Sequence, residues 1–198
     1  MKAQNVNLNK KENHNLATNF TAMAWLMHEA RLIVGTDSGE VYIFDANIDF
    51  KGFVSCEFEN WPIHSIVPYS KGFLVGGQNA TMVIFEKNPE DPKGLFTRHL
   101  REIHISEHPD SIVTSMSFNV GPEDTMAAAL NNGQIMTTQF SADRAGEDLQ
   151  FTYLSDKFHT GEITGLDVCV RKPLVATCGT DRTVRIWNYI ERTLEVEQ

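Results

Sequence analysis

The stretch Phe158–Tyr189, FHTGEITGLDVCVRKPLVATCGTDRTVRIWNY, decides how the rest of the 198-residue chain is read. It holds three apolar runs. The first carries Ile163, Leu166 and Val168, and the second, past the break at Arg171-Lys172, spans Pro173 to Thr177. The third, past the Gly-Thr-Asp-Arg turn, spans Thr183 to Trp187. Short β-rich runs broken by tight turns spell an antiparallel meander. Four polar residues punctuate it: His159 before the first run, Thr177 in the second, Asp181 in the following turn and Trp187 closing the third. A meander lets them meet in one chain. The indole N–H donates to the threonine hydroxyl, the hydroxyl bonds the imidazole, and the other ring nitrogen bonds the carboxylate.

Working outward, the same pattern recurs toward the N-terminus. Aligned on the end of the third strand, the repeats are GTDSGEVYIFD from Gly35, GGQNATMVIFE from Gly76, ALNNGQIMTTQ from Ala129 and CGTDRTVRIWN from Cys178. Their anchors, Phe44, Phe85, Thr138 and Trp187, are 41, 53 and 49 residues apart, about the length of a four-stranded blade plus loops. The expected strands of the first repeat are Phe20–Met27, Arg31–Thr36, Glu40–Asp45 and Gly52–Phe58. Those of the second are Ile63–Tyr69, Gly72–Gly76, Thr81–Phe85 and Phe96–Ile105. The third reads Ile112–Phe118, Thr125–Leu130, Gln134–Gln139 and Leu149–Leu154, and Thr193–Glu197 closes the fourth. Val41 and Ile43 face one way and Tyr42 and Phe44 the other, all of them apolar, so this strand is expected to be buried on both faces. Helical spacing is close to absent.

The fourth repeat resembles a blade of the WD-repeat β-propeller family, with His159, Thr177, Asp181 and Trp187 at the positions of its structural tetrad. The resemblance implies an all-β propeller of about four blades of four antiparallel strands, at about 19–60, 61–108, 109–158 and 159–198. The polar, Asn-rich segment 1–18 is expected to be a disordered lead-in. The other repeats depart from the pattern. Val34 and Val75 stand at the Thr177 position, and Phe44, Phe85 and Thr138 at that of Trp187. These repeats are therefore expected to rest on apolar packing alone. Family propellers usually close with seven blades, which implies that this is part of a larger propeller. The remaining blades of the same longer chain, or partner blades, would then cover two apolar ends.

A longer match follows. The segments ITGLDVCVRKPLVATCGTDRTVRIWNY, LIVGTDSGEVYIFD and the YSKGFLVGG run are similar, in order, to a family of WD-repeat proteins of the ciliary and flagellar axoneme. That likeness implies a non-catalytic cytoskeletal scaffold, docking inner-arm dynein and nexin–dynein regulatory-complex subunits on the doublet microtubule, with tubulin as a further partner. The alternative is a WD-repeat substrate receptor or adaptor in a ubiquitin ligase or trafficking complex.

Composition narrows the remaining classes. Net charge is −9 and no basic block is longer than Lys10-Lys11, which argues against nucleic acid and anionic membrane as partners. Cys56, Cys169 and Cys178 lack metal-ligand spacing. Cys169 and Cys178 are placed in strands as small apolar residues, and the compartment reads as reducing and aqueous. No apolar leader or membrane-length run is present in the sequence. His99, His104 and His108 fall within ten residues but read as polar edge-strand and loop residues, not as a metal site. The tetrad contains the parts of a nucleophilic triad, yet Thr177 lies mid-strand and not on a strained elbow. No cofactor site is expected. The long loops Lys87–Leu95 and Ser141–Asp148 are the candidate docking surface, acidic through Glu90, Asp91, Asp143, Glu147 and Asp148.

Overall fold

The computed structural model describes residues 19–26, 29–87, 96–98, 102–119, 121–141, 149–154 and 159–198. The lead-in 1–18 lies outside them. The described chain forms four antiparallel sheets in sequence order. The first contains β1 (Phe20–Leu26), β2 (Arg31–Thr36), β3 (Glu40–Phe44) and β4 (Phe50–Ser55). The second contains β5 (Ser65–Tyr69), β6 (Gly72–Gly76), β7 (Thr81–Lys87) and β8 (Phe96–Arg98), with β9 (Ile103–His104) also on β7. The third is β10 (Val113–Phe118), β11 (Thr125–Leu130), β12 (Ile135–Gln139) and β13 (Thr152–Tyr153). The fourth is β14 (Ile163–Val168), β15 (Leu174–Gly179), β16 (Val184–Asn188) and β17 (Thr193–Glu197). Every strand pairs with its sequence neighbour, apart from β9, so each sheet is an up-and-down meander.

The second sheet shows why the sheets stack. Along β6 and β7, Phe73, Val75, Val83 and Phe85 point to one face, and Leu74, Met82 and Ile84 to the other; all are fully buried. The first set joins Ile33, Val41 and Ile43 of the first sheet in one core. The second set joins Met126, Ala128 and Met136 of the third sheet in another. Side chains of a strand alternate by face, so a strand apolar at every position needs a neighbour on each side. Burying each large side chain contributes about 1.5–3 kcal/mol. The stacked pair Phe73 and Phe85, with ring centroids 5.1 Å apart, sits at the centre of the first core.

The repeat is also written in the backbone. Gly39, Ala80, Gly133 and Arg182 hold the same place in the turn between the second and third strands of their sheets. All four have positive φ, at 79°, 47°, 81° and 64° respectively. Glycine adopts this conformation freely and other residues with strain, yet the geometry persists in all four turns. The hairpin sets the conformation and the residue follows.

Several boundaries differ from expectation. The strand expected over Phe96–Ile105 is two pieces: β8 pairs with Phe85–Lys87 and β9 with Thr81–Met82, toward opposite ends of β7. Leu149–Leu154 contributes only the two-residue β13, because Phe151 turns into the core and Leu149 packs against it. Cys169 lies just past β14 and is exposed, so it is not an apolar strand residue; Cys178 is half-buried in β15 and Cys56 is buried. The fourth sheet contributes no side chain to the described buried clusters.

At the first interface, Trp61 lies 4% exposed over Gly77, its Nε1 donating to the Gln78 carbonyl at 3.2 Å. A β-carbon at Gly77 would come within 2.4 Å of the indole. Gly77→Ala is therefore expected to destabilise by about 1–3 kcal/mol through overpacking. In a Trp61→Ala background the same change should cost much less, since the clashing ring is gone. Urea melts of the two single variants and the double variant measure this; an additive double mutant would show that the indole is not the obstacle.

Candidate functional site

The fourth sheet draws its polar residues into one turn. His159 enters beside the β15–β16 hairpin, with its Nδ1 3.0 Å from both oxygens of Asp181. On the opposite edge of the ring, Nε2 lies 2.8 Å from Thr177 Oγ1. Trp187 Nε1 donates to the same hydroxyl at 2.9 Å. A carboxylate only accepts and an indole only donates, so the direction of the chain is determined. The indole gives to Thr177, Thr177 turns its hydrogen to Nε2, and Nδ1–H gives to Asp181. His159 is 3% and Thr177 7% exposed. Gly179 makes the approach possible, because a β-carbon there would sit 2.9 Å from His159 Nδ1 and 3.0 Å from Asp181 Oδ1.

Asp181 also accepts from the backbone N–H of Thr160 at 2.9 Å, the N–H of Thr183 at 3.1 Å and the Thr183 hydroxyl at 3.0 Å. Burial pushes its carboxyl up. The hydrogen bond from His159, then those from Thr160 and Thr183, outweigh burial and hold it well below the usual carboxylate range. Every polar atom of the chain from Trp187 to Asp181 is thus engaged inside the sheet, and none is presented to a substrate.

The third sheet carries a second polar network, where apolar packing alone was expected. His108 Nε2 lies 3.0 Å from the Tyr153 hydroxyl, and Nδ1 lies 3.1 Å from Asn132 Nδ2, which also donates to Ser111 Oγ at 3.1 Å. Asn132 occupies the aligned position of Asp181. An amide N–H donates where a carboxylate accepts, so Nδ1 of His108 is the acceptor and Nε2 carries the hydrogen. One Asp-to-Asn difference between repeats reverses the imidazole tautomer. Sequence reading missed this because it looked for Thr and Trp partners. The visible signal was a His and an Asn spaced from His159 and Asp181 by one repeat length, 51 and 49 residues.

The other candidate residues separate. His104 Nδ1 bonds the Thr81 hydroxyl at 3.0 Å and its Nε2 faces Glu102 at 3.4 Å, so it does not share a site with His108. His99 lies outside the described residues. Among the described residues no group of three His, Cys, Asp or Glu side chains could hold a metal ion. Glu90, Asp91, Asp143, Glu147 and Asp148 also lie outside the described residues. The points where their loops leave the sheets are described, however. Lys87, the last residue of β7, bonds through its N–H to the Lys71 carbonyl in the β5–β6 turn at 3.1 Å. Phe140, just past β12, bonds Asp124 in the β10–β11 turn at 2.8 Å. Both loops leave at the end that carries the first hairpin turns.

The model of the WD domain, G-beta repeat, matches residues 151–188. Among curated proteins, the chain is similar to cilia- and flagella-associated protein 57 A of Tetrahymena thermophila, 35% identical over 94% of the chain. It is also similar to cilia- and flagella-associated protein 57 of Mus musculus, 31% identical over 91%. The chain spans 15% and 18% of the length of these two relatives. Among solved structures, the β-propeller domain of Cps50 (Swd1) from Myceliophteria thermophila superposes with a TM-score of 0.54 at 17% identity. That likeness covers 86% of this chain and 51% of the other, and it shows the fold.

Two outcomes test the polar chain. Thr177→Val is nearly isosteric but leaves the indole N–H and the imidazole without partners, and should cost about 1–3 kcal/mol in denaturant melts; an unchanged melt would show that the chain carries no stability. Asp181 has a depressed native pKa, so its contribution is fully present above the unfolded value of about 4 and drains as pH falls toward the native one. Stability of Asp181→Asn should therefore lie below wild type at neutral pH and converge with it in acid. Parallel curves across the acid range would refute the linkage.

Proposed function

Because this is a WD-repeat β-propeller chain whose relatives are cilia- and flagella-associated proteins, we propose that it serves as a non-catalytic scaffold segment of the ciliary or flagellar axoneme. The observation that carries this reading is homology over 94% of the chain to a protein named for that location. The site chemistry agrees. The residues that could form a nucleophilic set, Thr177, His159 and Asp181, hold one another inside the fourth sheet. What the fold offers outward is surface.

Two surfaces serve that role. The first is the end of the sheets where the loops after Lys87 and Ser141 leave. On this reading the acidic residues Glu90, Asp91, Asp143, Glu147 and Asp148 dock a basic patch of an inner-arm dynein or nexin–dynein regulatory-complex subunit, against the tubulin lattice of the doublet. The second is formed by the outer face of the first sheet and both faces of the fourth. Phe20, Met23, Trp25 and Phe53 are exposed on the first sheet; on the fourth, Leu166 and Val168 are exposed on one face and Val184 and Val196 on the opposite one. Sheets of a propeller pack face to face, so further blades, from the same longer chain or a partner, are the fitting cover.

Replacing the two loops with short Gly-Ser turns should leave the fold intact and weaken incorporation of the full-length protein into cilia, with loss of a subset of inner arms. Full arm occupancy by electron tomography would exclude the loops as the docking site. Residues 1–198 alone should bind a hydrophobic dye and associate on size exclusion. A sharp monomer peak without dye binding would show that the end faces need no cover.

A further inference from the structure

Two turns project from one end of the fourth sheet, because the sheet is a meander. The β14–β15 turn carries Val170, Arg171 and Lys172, and the β16–β17 turn carries Tyr189, Ile190 and Arg192. The backbone ties them together: the Tyr189 N–H donates to the Pro173 carbonyl at 3.0 Å. Each turn is also held from within. The Asn188 side-chain carbonyl accepts the N–H groups of Ile190 and Glu191, both at 3.1 Å. The Cys169 N–H donates to the Leu174 carbonyl at 2.9 Å, and the Leu174 N–H to the Lys172 carbonyl at 2.7 Å. The tip is therefore ordered before a partner arrives, which lowers the entropy cost of binding.

Its surface is apolar and cationic at once. Val170 is 100% exposed, Ile190 70% and Tyr189 55%. All three lie past the strand ends, outside the faces on which a further sheet would pack. Large apolar side chains gathered and exposed in this way mark a contact surface. Arg171, Lys172 and Arg192 are exposed in the same two turns, and none forms an ion pair among the described residues. Glu191 is the one carboxylate of the two turns. The corresponding turns of the first and third sheets have the opposite sign, through Asp49 between β3 and β4 and through Glu123 and Asp124 between β10 and β11. The fourth sheet thus departs from its neighbours, in a chain whose net charge is −9.

From this we infer that the tip of the fourth sheet docks an acidic segment of a partner protein, one that carries an apolar residue between its carboxylates. The carboxylates meet Arg171, Lys172 and Arg192, each arginine offering paired N–H donors. The apolar residue covers Val170 and Ile190. An extended anionic surface, such as a membrane, would also meet the carboxylates in the turns of the first and third sheets and be repelled. A short segment touches the tip alone. The assignment rests on the two turns and goes beyond the axonemal reading, since an acidic segment from any source satisfies it.

The test is fluorescence anisotropy at low salt, with the full-length protein and a labelled peptide in which phenylalanine is flanked by glutamates. This peptide binds, and its counterparts with glutamine for glutamate or serine for phenylalanine bind at least about tenfold more weakly. Arg171→Gln weakens binding about fivefold. Val170→Ser combined with Ile190→Ser weakens it about tenfold without touching charge. Arg182→Gln, the same charge change in the β15–β16 turn at the opposite end of the sheet, leaves binding within about twofold. Vesicles containing phosphatidylserine do not sediment the protein. Equal weakening by Arg182→Gln, indifference to the double serine variant, no binding of the acidic peptide, or capture by the vesicles in its place each overturns the proposal. Thermal melts of the variants, unchanged from wild type, separate lost binding from lost folding.

Discussion

A β-strand shows alternate residues to opposite faces, and β6 and β7 are apolar at both. This one constraint organises the molecule. Phe73, Val75, Val83 and Phe85 require a sheet on one side, and Leu74, Met82 and Ile84 require another on the opposite side. The second sheet cannot end a stack. Once it is sandwiched, the first sheet carries the same demand on its outer face through Tyr42 and Phe44, while the outer face of the third, with Ser115, Ser117, Thr137 and Thr152, is largely polar. The close approaches follow from the same packing: Gly77 lies under the Trp61 ring, and a β-carbon on Gly35 would meet Ile63 at 2.6 Å.

The fourth sheet is held differently. Its strands bury little apolar surface, and Ile163, Leu166 and Val168 of β14 are all more than half exposed or close to it. Its order comes instead from the directed chain that runs from the Trp187 indole through Thr177 and His159 to Asp181. Such a chain is specific where apolar contact is permissive, because each atom has one correct partner and each loss leaves another unsatisfied. The third sheet shows the permissive limit of the same idea. With Ala128 and Asn132 at the Thr177 and Asp181 positions, the imidazole is kept but its hydrogen moves to the other nitrogen and its partner becomes Tyr153.

These two modes of cohesion bear on the scaffold reading. The middle of the molecule is rigid through shared cores, so a face built across several sheets keeps its geometry. The end carrying the first hairpins is such a face: Lys87 reaches Glu29 from the second sheet to the first, and Glu123 caps Ser70 from the third to the second. A contact made there engages three sheets at once. The exposed apolar faces of the first and fourth sheets belong to a different kind of interaction, sheet against sheet.

Strand order, the meander and the tetrad were legible in the sequence, because their information is local. Alternation has a period of two residues, turns announce themselves in Gly39, Gly133 and the Thr180–Arg182 turn, and His159, Thr177, Asp181 and Trp187 lie within thirty residues of one another. Strand ends were less legible where an apolar residue had two uses. Phe151 could have extended β13 and fills the core instead. Only the tertiary structure decided the rest. The tautomer of His108 depends on Asn132 and Tyr153, and a cleft at the first-hairpin end joins Trp25, Tyr69 and Glu123 across nearly a hundred residues. Such groups share no period and no motif. They meet because three hairpins, each determined by its own local pattern, are stacked side by side by the apolar faces between them.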